Sequence, residues 1–170
     1  MKTVCTQSFQ ETQKLGKELA KKLTPGQTIC LSGDLGSGKT TFAQGLLKGL
    51  NVKGPYTSPT FLIIKQYHII QSIKQKSKKI KMLHASCPAS RRQAVSTSRG
   101  GSIFHDVYHI DAYRVSDKDI LNLGWEEIIS QPGNLIVVEW AERIKKIIPK
   151  NAKWINFSWE GKEKRKIVFN

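Results

Sequence analysis

Apolar positions recur along this chain in two rhythms. Leu15, Leu19 and Leu23 are spaced to share one helical face and predict a helix over Gln10–Leu23. Phe42, Leu46, Leu47 and Leu50 predict a second helix over Ser37–Leu50. Between them the Thr24-Pro25-Gly26 break precedes a short apolar run, Gln27–Leu31, with the character of a buried strand. Thr3–Phe9 reads as an edge strand, and Phe61–Tyr67 and Ile103–Tyr113 as strands rich in β-branched and aromatic residues. A helix over Asp117–Ile129 follows, then a turn at Gln131-Pro132-Gly133. Leu135–Val138 is continuously apolar, as a parallel strand covered on both faces must be. Ala141–Ile148 reads as a helix ending at Pro149, and Trp154–Trp159 with Lys164–Phe169 as a closing hairpin.

Strands alternating with helices predict an α/β fold, one sheet with helices on its faces and a C-terminal hairpin. The chain has 170 residues, 39% of them hydrophobic, which suits a single domain spanning 1–170 with one core. The pattern fails from Gln71 to Ser102. That segment holds eight Lys or Arg and no Asp or Glu, so it carries eight of the fifteen net positive charges. Its composition is that of a solvated, disordered insertion; a basic RNA-binding arm is the sharper alternative. The remaining basic excess suggests an anionic partner such as RNA.

Cys5, Cys30 and Cys87 lie far apart and form no CxxC pair, so neither a disulfide framework nor a zinc site is expected. No apolar run reaches the roughly 18 residues of a membrane span, and polar sequence follows Met1. Both point to a cytoplasmic protein without membrane contact.

Gly33-Asp34-Leu35-Gly36-Ser37-Gly38-Lys39-Thr40 fits the phosphate-binding pattern GxxxxGK[ST] without a mismatch, between an apolar strand and an amphipathic helix. Glycines let the backbone close around phosphates. Amides from Gly36, Ser37 and Gly38 through Lys39, Thr40 and Thr41 would point inward, where the helix N-terminus adds positive potential. The Lys39 ammonium would reach the β- and γ-phosphates, and the Thr40 hydroxyl would ligate Mg2+. The bland alternative is a glycine-rich turn with a solvated lysine. Such a site also needs a carboxylate for the metal and a means of orienting water. Glu139 ends Leu135–Val138, and Asp111 ends Val107-Tyr108-His109-Ile110; carboxyl ends of parallel strands face the ligand crevice. His109 shares a strand face with Asp111 and reads as structural or catalytic. Arg114 is a candidate for stabilising phosphoryl charge or a solvated arginine, and Trp140 reads as a packing residue. Thr57-Ser58-Pro59-Thr60-Phe61 is either a switch loop or a capped turn.

With GDLGSGKTTF (Gly33–Phe42), TSPTF (Thr57–Phe61), HIDAYR (His109–Arg114), LGWEE (Leu123–Glu127) and VEWAERI (Val138–Ile144) in this order, the chain resembles the TsaE family. The resemblance covers nearly everything outside Gln71–Ser102. It implies a P-loop NTPase-like three-layer fold with a mostly parallel central sheet, holding ATP and Mg2+ through the loop, Thr40 and Glu139. It implies functional roles for Thr57–Thr60, with Thr60 and Asp111 beside Glu139 in the chemistry, and an adenine contact near Phe9. It implies an ATPase, weak alone, that partners the TsaD–TsaB heterodimer in placing a threonylcarbamoyl group on adenosine 37 of tRNA. The tRNA would be met through that complex. The chain departs from the family at the insertion, where relatives use a short turn. Two rival functions stay open on the residues alone: a small-molecule kinase with Arg91, Arg92 and Arg99 in a lid, and a non-enzymatic RNA- or protein-binding module.

Overall fold

The computed structural model describes residues 1–60, 62–69 and 105–170. Among them seven strands and four α-helices follow one another: β1 (Lys2–Thr6), α1 (Phe9–Ala20), β2 (Thr28–Ser32), α2 (Lys39–Gly49), β3 (Ile64–His68), β4 (Asp106–Asp111), α3 (Asp117–Asn122), α4 (Trp125–Ser130), β5 (Leu135–Glu139), β6 (Lys153–Trp159) and β7 (Arg165–Phe169). A 3-10 turn, Ala141–Ile144, follows β5. The reading of residues 71–102 as a disordered or RNA-binding insertion lies outside the described residues.

The strands form one sheet in the order β1-β7-β6-β2-β5-β4-β3. Only the centre is parallel: β2 runs parallel to β5 and β6, and β5 parallel to β4. The outer pairings β1–β7, β6–β7 and β3–β4 are antiparallel. The expectation of a mostly parallel sheet is therefore corrected to a mixed one. The physical reason is the connection. Parallel neighbours need a crossover, whereas β6 and β7 meet through a short turn and must reverse. The C-terminal hairpin and the edge position of β1 agree with the sequence reading.

Alternation along the central strands divides the core in two. Ile29, Leu31, Leu135 and Val137 bury one face with Phe42, Leu46 and Leu47 of α2. Cys30, Ile136 and Val138 bury the other with Ile120 of α3 and Trp125 and Ile128 of α4. Strand β5 is buried at all five positions, as its continuous apolar run required.

Helix α1 starts where the Ser8 side chain accepts from the Glu11 amide and the Glu11 carboxylate accepts from the Gln7 amide. Its closest contact is not the leucine stripe. Thr12, Gly16 and Ala20 are the buried positions, while Leu15 and Leu19 flank the core partly covered. A Cβ on Gly16 would come within 2.3 Å of the Phe42 carbonyl oxygen, and one on Gly45 within 2.0 Å of that of Gln13. The two helices thus touch backbone to backbone, which clamps α2 against its neighbour. The helix expected over Asp117–Ile129 is two short helices, because Gly124 takes a φ of 85° and turns the chain between them. The helix expected over Ala141–Ile148 is only the 3-10 turn, entered through Trp140 at a φ of 59°.

Candidate functional site

The carboxyl ends of β2, β4 and β5 meet the amino end of α2, where Lys39, Thr40, Asp111 and Glu139 gather. The chain leaves β2 at Gly33, whose φ of 131° places it in the region glycine favours. A Cβ there would lie 2.1 Å from the Phe157 carbonyl oxygen, so the loop can only pass with glycine. Gly38 caps α2 at a φ of 102°. The first α-helical bond is Phe42 N–H to the Gly38 carbonyl, so the helix supplies no acceptor for the amides of Lys39, Thr40 and Thr41. Those donors and the helix dipole together suit an anion.

Lys39 is nearly fully buried, its relative exposure being 4%. Its Nζ donates to the carbonyls of Gly33 and Asp34 and lies 3.6 Å from the centre of the Trp140 ring. Burial pulls its ammonium below the ordinary lysine range, and Glu139, Glu142, Asp111 and Asp34 oppose that shift. Trp140, read as packing, covers this lysine and leans on Tyr113 at 4.8 Å between ring centres.

The two carboxylates sit side by side, since Asp111 and Glu139 are register partners in the β4–β5 pair. Their surroundings differ. Glu139 Oε2 accepts from the Thr40 hydroxyl at 2.6 Å, and Oε1 meets His109 Nε2 at 2.8 Å. Asp111 Oδ2 accepts from Thr60 at 2.6 Å and from Ser58 at 3.2 Å, and Oδ1 accepts from the Tyr113 amide. The hydroxyl-rich turn therefore reaches Asp111 with Ser58 and Thr60. The Thr57 hydroxyl instead accepts from Lys65.

Hydroxyl and carboxylate oxygens at the head of α2 are the hard donors that Mg2+ prefers. Among the described residues no group of three or more His, Cys, Asp or Glu could hold a metal ion.

A cleft of about 220 Å³ opens beside the loop, lined by Phe9, Thr12, Gly38, Thr41, Lys162 and Arg165 among others. Phe9 is half exposed there, so the aromatic named from the family pattern does border the loop's other side. A second cleft over Lys39, Thr40, Glu139 and Trp140 shares Gly38, Thr41 and Arg165 with the first. Arg165 is a site residue that the sequence does not reveal. Its Nε donates to the Gly36 carbonyl and its Nη1 to Gly161 and Lys164, tying the C-terminal hairpin to the loop. Nothing in its basic surroundings distinguishes it. Arg114 lies exposed just beyond β4.

The family described as threonylcarbamoyl adenosine biosynthesis protein TsaE matches residues 6–86 and 95–167. The chain is 34% identical over 139 residues to a tRNA threonylcarbamoyladenosine biosynthesis protein TsaE from Nostoc, covering 79% of this chain and 65% of that protein. That span is just under two thirds of the Nostoc protein's length. It is 34% identical to the protein of that name from Aquifex aeolicus, over 85% of this chain and 80% of that one. The Bacillus subtilis protein of that name is 31% identical, over 94% and 79%. The crystal structure of Bacillus subtilis YdiB superimposes with a TM-score of 0.66 at 26% identity, covering 99% of this chain and 83% of that one.

Proposed function

The chain belongs to the TsaE family, whose named role is tRNA threonylcarbamoyladenosine biosynthesis, and from that premise we propose that it is a Mg2+-dependent ATPase serving this modification. The observation that carries the reading is the contact of Thr40 with Glu139 at the head of α2, directly behind the glycine-rich loop and Lys39. A phosphate-binding loop whose following hydroxyl touches a strand-end carboxylate is the arrangement a metal–nucleotide site requires.

The residues divide the work between phosphates, metal, water and base. The Lys39 ammonium and the amides of Gly36, Gly38, Lys39, Thr40 and Thr41 hold the phosphates, whereas the Ser37 amide, expected among them, donates to the Asp34 carbonyl. Thr40 and Glu139 would hold the metal, which would supply positive charge against the nucleotide's phosphates. Asp111, with Thr60 donating to its Oδ2, orients the attacking water and accepts its proton at the carboxylate. Phe9 and Thr41 border the cleft that takes the adenine ring. Hydrolysis is weak in the isolated protein and rises with the TsaD–TsaB heterodimer. Through that complex it supports threonylcarbamoylation of adenosine 37, and tRNA is met in the assembly. No helix among the described residues is long and apolar enough to cross a membrane, and a cytoplasmic site of action is proposed with this role.

The test measures inorganic phosphate release from ATP by the protein alone and with TsaD–TsaB and tRNA. Release that needs Mg2+ and increases with the partners is expected. A phosphorylated small molecule in place of inorganic phosphate would make the protein a kinase. An absence of Mg2+-dependent nucleotide binding would make it a non-enzymatic module.

A further inference from the structure

Among the described residues, the His109 side chain has a single hydrogen-bond partner. It lies on β4 in register with Val137, two residues short of the Asp111–Glu139 pair, and points along the same face of the sheet. Its exposure is 0% and that of Glu139 is 1%. Nε2 stands 2.8 Å from Glu139 Oε1, and Nδ1 is buried with no partner among the described residues. A carboxylate oxygen can only accept. The proton must therefore sit on Nε2, since a proton on Nδ1 would leave two acceptors facing each other and an N–H with nothing to bind. The ring is held as an Nε2–H donor aimed at one oxygen of one carboxylate.

That geometry has a consequence for the opposite oxygen. Stripped of water, Glu139 Oε1 needs a donor, or the carboxylate would rotate to find one. With Oε1 fixed by His109, Oε2 faces Thr40 across 2.6 Å at the head of α2. We propose that His109 is a positioning residue, which holds Glu139 with Oε2 turned toward Thr40 and thereby sets how strongly Mg2+ is bound with the nucleotide. The inference rests on the ATP–Mg2+ reading of the site. It goes beyond it by giving the imidazole a task in metal affinity and none in proton transfer, since the water-side carboxylate, Asp111, has its own partners in Ser58, Thr60 and the Tyr113 amide.

The test compares His109→Leu, His109→Gln and His109→Asn with the unaltered chain. Affinity for the non-hydrolysable analogue AMPPNP is measured by calorimetry across a Mg2+ titration and in EDTA, with thermal melting alongside. Gln carries its amide N–H to about the reach of Nε2, whereas Asn stops near Nδ1. Outer partners of metal ligands typically govern about 10–100-fold in metal affinity. His109→Leu and His109→Asn should thus need at least about tenfold more Mg2+ to reach half of the metal-dependent gain, while EDTA affinities stay within about twofold. His109→Gln should recover most of the loss. If Leu fails to fold, the Gln and Asn pair still decides the matter. Equal weakening with and without Mg2+, or a folded Gln variant no better than Asn, would show that His109 only packs. An unaltered chain indifferent to Mg2+ would instead overturn the nucleotide-site reading itself, and this inference with it.

Discussion

Glu139 and Asp111 are register partners on adjacent parallel strands, yet each belongs to a different kind of structure. Glu139 ends a strand buried at every position, and its partners are a helix-borne threonine and a fully buried histidine. Helix α2, which carries that threonine, is fixed by backbone contact with α1 at Gly45 and Gly16. Asp111 ends a strand whose outer neighbour is the antiparallel β3, and its side-chain partners are Ser58 and Thr60 on a turn. Its own amide donates to the carbonyl of Ile63, at a φ of 64° on the same connection. One carboxylate is thus set by packed elements and the other by a surface segment. If Glu139 binds the ion and Asp111 aligns water, as proposed, the ion's ligand is the one held by packed elements.

The most damaging change should be Lys39→Ala, because Lys39 answers to both carboxylates. It places a cation in a pocket whose nearest charges are Glu139, Glu142, Asp111 and Asp34. Loss of a charge-assisted phosphate contact should weaken nucleotide binding by roughly 2–4 kcal/mol. Melting should show a folded protein. Undiminished nucleotide affinity in that folded variant would mean that the loop does not hold phosphate.

Glu139→Gln and Asp111→Asn test the comparison directly. Glu139→Gln should lose roughly 1.5–3 kcal/mol of Mg2+-dependent nucleotide affinity, as expected when a charged partner goes. Asp111→Asn should leave that affinity near normal and cut turnover by about 10²-fold or more, the usual worth of a positioned base. Titration of Mg2+·ATP with single-turnover kinetics separates the two. Metal binding lost in Asp111→Asn and kept in Glu139→Gln would reverse the assignment.

A smaller effect is expected from Gly45→Ala, at the contact between α1 and α2. The new methyl would meet the Gln13 backbone at 2.0 Å, so α2 must shift or α1 must yield. Overpacking of this sort costs about 1–3 kcal/mol. Helix α2 carries Thr40 and not Ser58 or Thr60, so the variant should lose Mg2+-dependent affinity along with stability. Denaturant unfolding and the same Mg2+ titration check both. Equal damage to turnover at saturating Mg2+·ATP would mean that the two carboxylates are mechanically one unit.

Much of this site is legible in the amino-acid sequence, and the reasons are local. Gly33–Thr40 is a contiguous pattern, and Glu139 and Asp111 each follow an apolar strand whose carboxyl end must face the crevice. What escapes depends on contacts that no window of sequence contains. Arg165 reaches Gly36 from 129 residues away, and nothing in its basic neighbourhood marks it. Trp140 lies over Lys39 only because the chain turns through a left-handed residue after β5. Alternation puts His109 on the right face, but its aim at Glu139 and not Asp111 follows from strand register, which a single strand does not reveal. The mixed character of the sheet escapes for a related reason. A continuous apolar run marks β5 as central, but the direction in which β1 and β3 pair with their neighbours depends on the connections and is not written in either strand.

The smallest expected effect concerns residues 71–102, and it bears on Asp111, the carboxylate held from a turn. Strands β3 and β4 pair from Ile64–Ile110 out to His68–Asp106, and the Ile69 amide donates to the His105 carbonyl beyond them. The chain therefore departs and returns at neighbouring points, a gap that a short Gly/Asn turn can close. Asp111 sits at the opposite end of the same hairpin, with five registered pairs between. Replacing residues 71–102 with such a turn should leave melting and nucleotide affinity unchanged within error. The ladder fixes β4, and the partners of Asp111 and Glu139 named here all lie outside the replaced segment. If the replacement disturbs anything, β3 and β4 should feel it first. Turnover, through Asp111, should then fall before Mg2+-dependent affinity, through Glu139, which is set by β5, His109 and α2. Thermal melting, Mg2+·ATP titration and single-turnover rates on the one variant give that order. A protein that fails to fold would show that residues 71–102 belong to the core, and a loss of metal-dependent affinity ahead of turnover would show that the two carboxylates are not supported separately.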